Sequence, residues 1–128
     1  GEATVVIKTC LKLSFSKIKE IKSLHKVAKS DNEKLDIVRL LSDGKDFDIL
    51  YKNVKSEWKF NFKESDGLTK NDISGKFVLP LDIFNNLGYS ANFLLEIVEL
   101  QPNARACYLR VSEHPDSFIN ITRIENDN

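Results

Sequence analysis

Apolar and polar residues alternate along most of the chain, which is the pattern of half-buried β-strands. The cleanest case is residues 57–63, where Trp58, Phe60 and Phe62 share one side and charged residues occupy the other. We expect this aromatic row to belong to a core, and the alternative is a platform on which bases stack. Seven further segments, bounded by turn residues, also predict strands. They are residues 4–13, 35–41, 47–51, 75–79, 92–100, 105–112 and 117–124.

Two segments interrupt the alternation and predict helices. Residues 17–29 have apolar residues at helical spacing, and Ser14 or Ser16 can cap the first turn. The second segment, 81–87, lies between a proline and a glycine. The predicted order is strand, helix, three strands, and then the same order again without a residue-level repeat. The expected fold class is therefore α+β, with β-α-β-β-β repeated twice in a single domain over residues 1–128.

Positive charge is concentrated on the first predicted helix. Lysines recur there at i, i+3, i+7 and i+10, within an arc of roughly 80°. They are Lys19, Lys22, Lys26 and Lys29. A separate arc holds the apolar residues Ile18, Ile21, Leu24 and Ala28. Such a helix can pack on a sheet while its lysines face outward, and phosphate backbones are the usual target of such a row. The alternative is that the lysines only keep an exposed helix soluble.

The charge balance indicates a polarised surface. Residues 17–29 carry five lysines and one acid, Glu20, which gives +4, so the remainder of this neutral chain carries −4. Hydrophobic content of 41% and charged content of 30% are typical of a soluble globular domain. No apolar run approaches the roughly 18 residues of a membrane span. We expect an intracellular protein, nuclear or cytoplasmic. The chain begins with Gly and contains no Met, from which we expect a piece of a longer protein.

Residues that carry catalytic or metal chemistry are sparse. Cys10 and Cys107 are far apart, and we expect buried thiols, with a disulfide or a metal site as the alternative. His25 lies at the edge of the apolar arc, where a packing role is expected, and His114 lies in a turn. The glycines form no phosphate-binding pattern. The sequence therefore predicts binding rather than catalysis, without a metal, a cofactor or a small-molecule substrate.

One segment resembles a known family. Residues 75–84, Gly-Lys-Phe-Val-Leu-Pro-Leu-Asp-Ile-Phe, form a strand that ends in Leu-Pro and leads into a short helix. With the acidic apolar strand that follows, this resembles the second half of a DNA sliding clamp domain. The first half is similar in outline, because Leu13-Ser14-Phe15 leads into a helix and Asp43-Gly44 separates two strands. The resemblance covers nearly the whole chain as a pattern.

The sliding clamp resemblance implies a mechanism without chemistry. It implies curved antiparallel sheets with two helices on one face, a processivity role in DNA replication, and non-specific contact with duplex DNA. The DNA contacts would come from the four lysines of the first helix. Sheet edges would associate with further copies or other subunits. The alternative is a protein–protein interaction or scaffold domain whose lysines meet an acidic partner. Residues 75–100 also resemble the swapped-hairpin unit of AbrB-type transcription regulators.

Overall fold

The structure is a computed structural model that describes residues 4–30, 37–52, 56–80, 83, 84, 87, 92–101, 106–114 and 117–126. For residues 27–30, 37, 106, 114 and 117–119 the description covers the backbone. The described part contains one α-helix and nine strands. In chain order they are β1 (Thr4–Ser14), α1 (Phe15–Ser30), β2 (Ile37–Asp43), β3 (Phe47–Lys52), β4 (Glu57–Phe62), β5 (Leu68–Asn71), β6 (Ser74–Pro80), β7 (Asn92–Gln101), β8 (Ala106–His114) and β9 (Ser117–Glu125). A short 3-10 turn, Glu64–Asp66, links β4 to β5.

The strands form two antiparallel sheets. The five-stranded sheet has the order β5-β1-β7-β8-β9, and the four-stranded sheet has the order β4-β3-β2-β6. Leu11 of β1 lies opposite Leu95 of β7, and Leu40 of β2 lies opposite Phe77 of β6. Each half of the chain therefore lends its first strand to the sheet of the other half. Both halves are needed to complete either sheet.

One hydrophobic cluster fills the space between the sheets and α1. Its largest buried side chains are Tyr51, Phe47, Phe62, Phe77, Phe84 and Phe93. Trp58 and Phe60 are partly buried and pack against this cluster. The prediction that the aromatic row belongs to the core is thus confirmed. Full burial of a large apolar side chain contributes about 1.5–3 kcal/mol, so Phe62, which is fully buried, helps to hold β4 on the core.

A chain of hydrogen bonds also links the two sheets. The hydroxyl of Thr9 on β1 donates to Asn71 Oδ1 on β5 at 2.9 Å. The amide of Asn71 donates to Ser42 Oγ on β2 at 2.8 Å, and Ser42 donates to the carbonyl of Ile73 at 2.7 Å. Thr9 is fully buried, so these bonds satisfy a polar group that would otherwise destabilise the core.

All eight strands expected from the sequence are present, with ends within two residues of the expected ones. The sequence does not predict the strand β5, because residues 64–74 are mostly polar. It is a short edge strand paired with β1, and Leu68 is its one buried residue. A strand with one buried side chain gives no alternating pattern to detect.

The expected α+β fold class with two helices on one face is wrong. The protein is mostly antiparallel β-sheet, with one α-helix among the described residues. Where the second helix was expected, Ile83 and Phe84 lie in a turn, and the amide of Ile83 donates to the carbonyl of Pro80 at 3.3 Å. The other residues expected in that helix, apart from Leu87, lie outside the described part.

The physical reason is the length of that segment. Helix nucleation is unfavourable and is not recovered over seven residues, two of which, Asn85 and Asn86, are weak helix formers. Ile83, Phe84 and Leu87 are nevertheless buried, so these three residues contribute to the core although none of them lies in a helix. No helix among the described residues is long and apolar enough to cross a membrane.

Candidate nucleic-acid interface

The helix α1 begins where the sequence predicted. The backbone N–H of Lys17 donates to Ser14 Oγ at 3.3 Å, which makes Ser14 the N-cap. Of the two expected caps, Ser16 instead lies inside the first turn, with its hydroxyl 3.2 Å from that of Ser14. The cap fixes the start of α1 directly after β1, so the helix leaves the five-stranded sheet at a defined point.

One face of α1 anchors the helix to the core. Ile18 and Ile21 are buried, and α1 lies against β1 and β3, one strand from each sheet. His25 is buried as well, and its ring meets that of Tyr51 edge-on with centroids 6.0 Å apart. The expected packing role of His25 is confirmed. Burial raises the pKa of Tyr51 well above its ordinary range, so this phenol stays neutral at physiological pH.

The predicted lysines occupy different environments on α1. Lys19 and Lys26 are exposed, and Lys22 is half-buried at the border of the core-facing side. Lys29 lies in the last turn of the helix, and its side chain is outside the described part. The structure therefore brings Lys19 and Lys26 together on the solvent side of α1, with Lys22 beside them.

Two exposed lysines of α1, Lys19 and Lys26, are not neutralised by any described acid. The one acid of α1, Glu20, lies 3.4 Å from Lys17 Nζ across one turn; the Glu20 side chain is largely solvated, and that of Lys17 is half-buried. Such surface pairs contribute little to stability, but the carboxylate is drawn toward Lys17. Neither Lys19 nor Lys26 forms an ion pair within the described residues. The exposed side of α1 thus carries net positive charge.

The two glutamates of β7, Glu96 and Glu99, are three residues apart and therefore lie on opposite faces of the strand. Glu96 lies 3.0 Å from the guanidinium of Arg110, whereas Glu99 lies 3.9 Å from Lys8 Nζ. Each is thus engaged with a separate basic residue, in the manner of structural ion pairs. In the described part of the chain, no group of three or more His, Cys, Asp or Glu residues is placed to hold a metal ion.

Neither Cys10 nor Cys107 forms a disulfide, so the disulfide alternative is wrong. Cys107 is buried as expected, and Cys10 is half-buried. Burial raises the pKa of the Cys107 thiol, and the nearby carboxylate of Glu99 raises it further. A protonated thiol is a poor nucleophile, so Cys107 is a packing residue.

One feature was not predicted from the sequence. An open groove runs between α1 and the edge strand β4. Its lining residues are Phe15, Ser16, Lys19, Glu20, Ser23, Leu24 and Phe60. The signal in the sequence was Phe15, an aromatic residue on the lysine side of the helix, where it is 43% exposed.

Comparison of the chain with protein-family models, with curated proteins and with solved structures finds no match. The resemblance to sliding clamp domains therefore stays a prediction. The described geometry defines the class of protein only as a two-sheet β domain with a basic, outward-facing helix.

Proposed function

We propose that this chain is a non-catalytic binding domain that contacts the phosphate backbone of duplex DNA through the exposed lysines of α1. The observation that carries the proposal is the asymmetry of the helix. Ile18 and Ile21 fix one face in the core, while Lys19 and Lys26 stand in solvent without an acidic partner among the described residues. A rigidly held row of cations favours repeated phosphates over a single small anion.

The proposed contact is independent of base sequence. Lysine ammonium groups act as point charges, and base readout needs side chains placed against base edges. Each phosphate contact contributes about −0.9 to the slope of log affinity against log salt concentration, so two to four lysines predict a slope of about −2 to −4. Binding by one domain is expected to be weak at physiological salt.

The test is a titration of a fluorescent duplex of arbitrary sequence, followed by anisotropy at low and at moderate salt. Reversal of both exposed lysines, Lys19→Glu with Lys26→Glu, should weaken binding at least about 30-fold at low salt. The matched control is Lys45→Glu with Lys76→Glu, which changes the net charge equally at exposed positions away from α1. The control should stay within about twofold of the unchanged protein. Absence of binding at low salt would reject the proposal, and so would equal losses in both variants.

The proposal includes association with other copies or other subunits through a sheet edge. Within the described residues, β4 pairs only with β3, and β9 pairs along its length only with β8. Unpaired edges present backbone donors and acceptors to another strand. Light scattering at increasing concentration tests self-association, for which a defined multimer is expected. A persistent monomer would restrict association to other proteins.

A second candidate function is a protein interaction domain without a nucleic-acid role. The groove between α1 and β4 favours it, because Phe15 and Phe60 leave apolar surface in contact with solvent there. The two functions separate in the DNA titration, since an interaction domain should not bind duplex DNA even at low salt. An intracellular location is expected under both.

A further inference from the structure

The groove between α1 and β4 has an apolar floor beside an open strand edge. Phe15 and Leu24 line it from the helix, and Phe60 lines it from the strand. Leu24 and Phe60 are partly buried against the core, so they are held in place, while Phe15 is 43% exposed. Large apolar side chains at a fixed, concave position are the usual anchors of protein recognition.

The strand β4 supplies the second half of the recognition surface. It is the terminal strand of its sheet and pairs with β3 from Lys52 opposite Glu57 to Phe47 opposite Phe62. On its other side, alternate backbone N–H and C=O groups face away from β3, and no described strand pairs with them. An extended segment added there would place every second side chain on the α1 side of the sheet, toward Phe60.

The charges around the groove indicate which charged side chains that segment should carry. Glu20, an acid that lines the groove, is paired with Lys17, whereas Lys19 has no ion pair among the described residues. Lys59 is exposed on the outer face of β4, opposite the face on which Phe60 lines the groove, and it also forms no ion pair within the described part of the chain. The acid Glu57 shares that outer face, two residues and about 7 Å away along the strand. With Glu20 paired to Lys17, Lys19 on the groove side and Lys59 on the outer face give the surface a net positive charge.

We propose that β4 and the α1–β4 groove bind an extended, acidic segment of a partner protein, which adds to the sheet as a fifth strand. Apolar residues of that segment fill the groove between Phe15 and Phe60, and carboxylates at its alternate positions, on the outer face of the sheet, meet Lys59. This inference rests on the edge association proposed above and specifies its edge and its partner. It does not depend on the contact between α1 and DNA.

The probe is a short fluorescent peptide in which glutamate alternates with valine or phenylalanine. Titrated into the isotope-labelled protein, it should shift the amide signals of β4 and of the first half of α1, and slow hydrogen exchange at alternate β4 amides. A peptide with lysine in place of glutamate should bind at least about tenfold more weakly. A peptide that is N-methylated on alternate backbone amides should lose binding, because the added strand cannot then form its ladder.

Two variants separate this inference from the DNA proposal. Phe15→Ser removes an apolar anchor and should weaken peptide binding about five- to tenfold while DNA binding is unchanged. Lys26→Glu lies outside the groove and should weaken DNA binding without affecting the peptide. The control Val5→Ser removes an apolar side chain that is 53% exposed elsewhere, and should affect neither. All three positions are exposed, so thermal unfolding should stay close to that of the unchanged protein.

The inference is overturned if the peptide produces no shifts, or if the shifts map to β9 or β5. It is also overturned if the lysine peptide binds equally well. If the free protein is a multimer whose β4 amides are already protected, the occupant is a second copy: the acidic segment is then rejected and edge association is retained. If DNA binding fails while the peptide binds as described, the inference stands and the DNA proposal falls.

Discussion

The two halves of the chain build equivalent sheets with different crossovers. In the first half β1 is followed by a crossover and then β2, β3 and β4; in the second half β6 is followed by a crossover and then β7, β8 and β9. The pairings correspond, since β1-β7-β8-β9 in one sheet matches β6-β2-β3-β4 in the other. The eight predicted strands follow the expected order, but the predicted repeat of strand, helix and three strands is wrong, because β5 intervenes and α1 is the one helix among the described residues.

The crossovers differ in whether their side chains are buried or exposed. The first is the helix α1, which buries Ile18 and Ile21 and exposes lysines. In the second, the described residues Ile83, Phe84 and Leu87 are all buried. The first crossover thus contributes to the core and to a charged surface, whereas the described residues of the second contribute to the core. The strands form the two sheets, and of the two crossovers only the first carries the proposed DNA contact.

The largest expected effect on stability compares one phenylalanine from each crossover. Phe84 in the second crossover is 1% exposed, whereas Phe15 at the start of α1 is 43% exposed. Phe84→Ala should lower the free energy of unfolding by about 3–5 kcal/mol, because it leaves a cavity in the core. Phe15→Ala should lower it by less than about 1 kcal/mol. Urea denaturation measures both, and equal losses would contradict the assigned difference between the crossovers.

The next largest loss of stability is expected in the link between the two halves, where the residue after the 3-10 turn contacts β1. Gly67 has φ +99°, its carbonyl accepts a hydrogen bond from Lys12 N–H at 2.9 Å, and an added Cβ would collide with the Lys12 carbonyl oxygen. We expect Gly67→Ala to lower the free energy of unfolding by about 2–3 kcal/mol.

The control for that substitution is Gly44→Ala. Gly44 also has a positive φ, +89°, but its added Cβ would meet only the hydroxyl of Ser74, at 3.2 Å. This change should cost about 1 kcal/mol, since the backbone conformation is disfavoured without a backbone collision. If both variants lose the same stability, the close approach of Gly67 to β1 is not what fixes the junction.

The sequence predicts the strands well because alternation reports directly on which residues face a core. It fails in the second crossover, where Ile83, Phe84 and Leu87 have helix-like spacing but lie in a segment too short for a stable helix. It also fails at β5, an edge strand with one buried residue, Leu68. In both places the outcome depends on which neighbouring strands are available for packing, and a single-chain pattern does not contain that information.

The candidate site is predictable to a similar degree. Spacing alone puts the lysines on one arc of α1, and the structure places Lys19 and Lys26 in solvent. The half-burial of Lys22 depends on how the helix is rotated against β1 and β3, which spacing does not fix. The groove is lined by Phe15 and Phe60, which are distant in sequence. They lie on the same groove because α1 packs against β3 and β3 pairs with β4.

A smaller loss of stability is expected when the N-cap of α1 is removed. Ser14→Ala removes the acceptor for the backbone N–H of Lys17 and should lower the free energy of unfolding by about 1 kcal/mol. Hydrogen exchange should accelerate first in the initial turn of α1, ahead of the strands. The control Ser16→Ala removes a hydroxyl that makes no bond to a described backbone N–H, and should change stability by less than about 0.5 kcal/mol. A larger loss in the control would move the cap to Ser16.

The smallest effect is a pH dependence at the turn between β2 and β3 in the first half. Asp43 Oδ1 accepts hydrogen bonds from the backbone N–H groups of Lys45 and Asp46, at 2.9 and 2.7 Å. These bonds, that from Lys45 first, hold the pKa of Asp43 below its ordinary value of 3.8. Because the pKa is lower in the folded state, the carboxylate stabilises the fold above pH 3.8, and that contribution is lost as the pH falls through the folded pKa.

Asp43→Asn isolates this contribution, because the amide oxygen can still accept both hydrogen bonds but carries no charge. The unchanged protein should be more stable than Asp43→Asn near neutral pH, and the difference should shrink toward zero in acid, as measured by urea denaturation at matched ionic strength. Asp46→Asn is the control, since its exposed carboxylate accepts no hydrogen bond from a described residue, and it should change stability by less than about 0.5 kcal/mol. A difference for Asp43 that persists in acid would assign the stabilisation to side-chain geometry, and the charge at this turn would then have no role in holding β2 against β3.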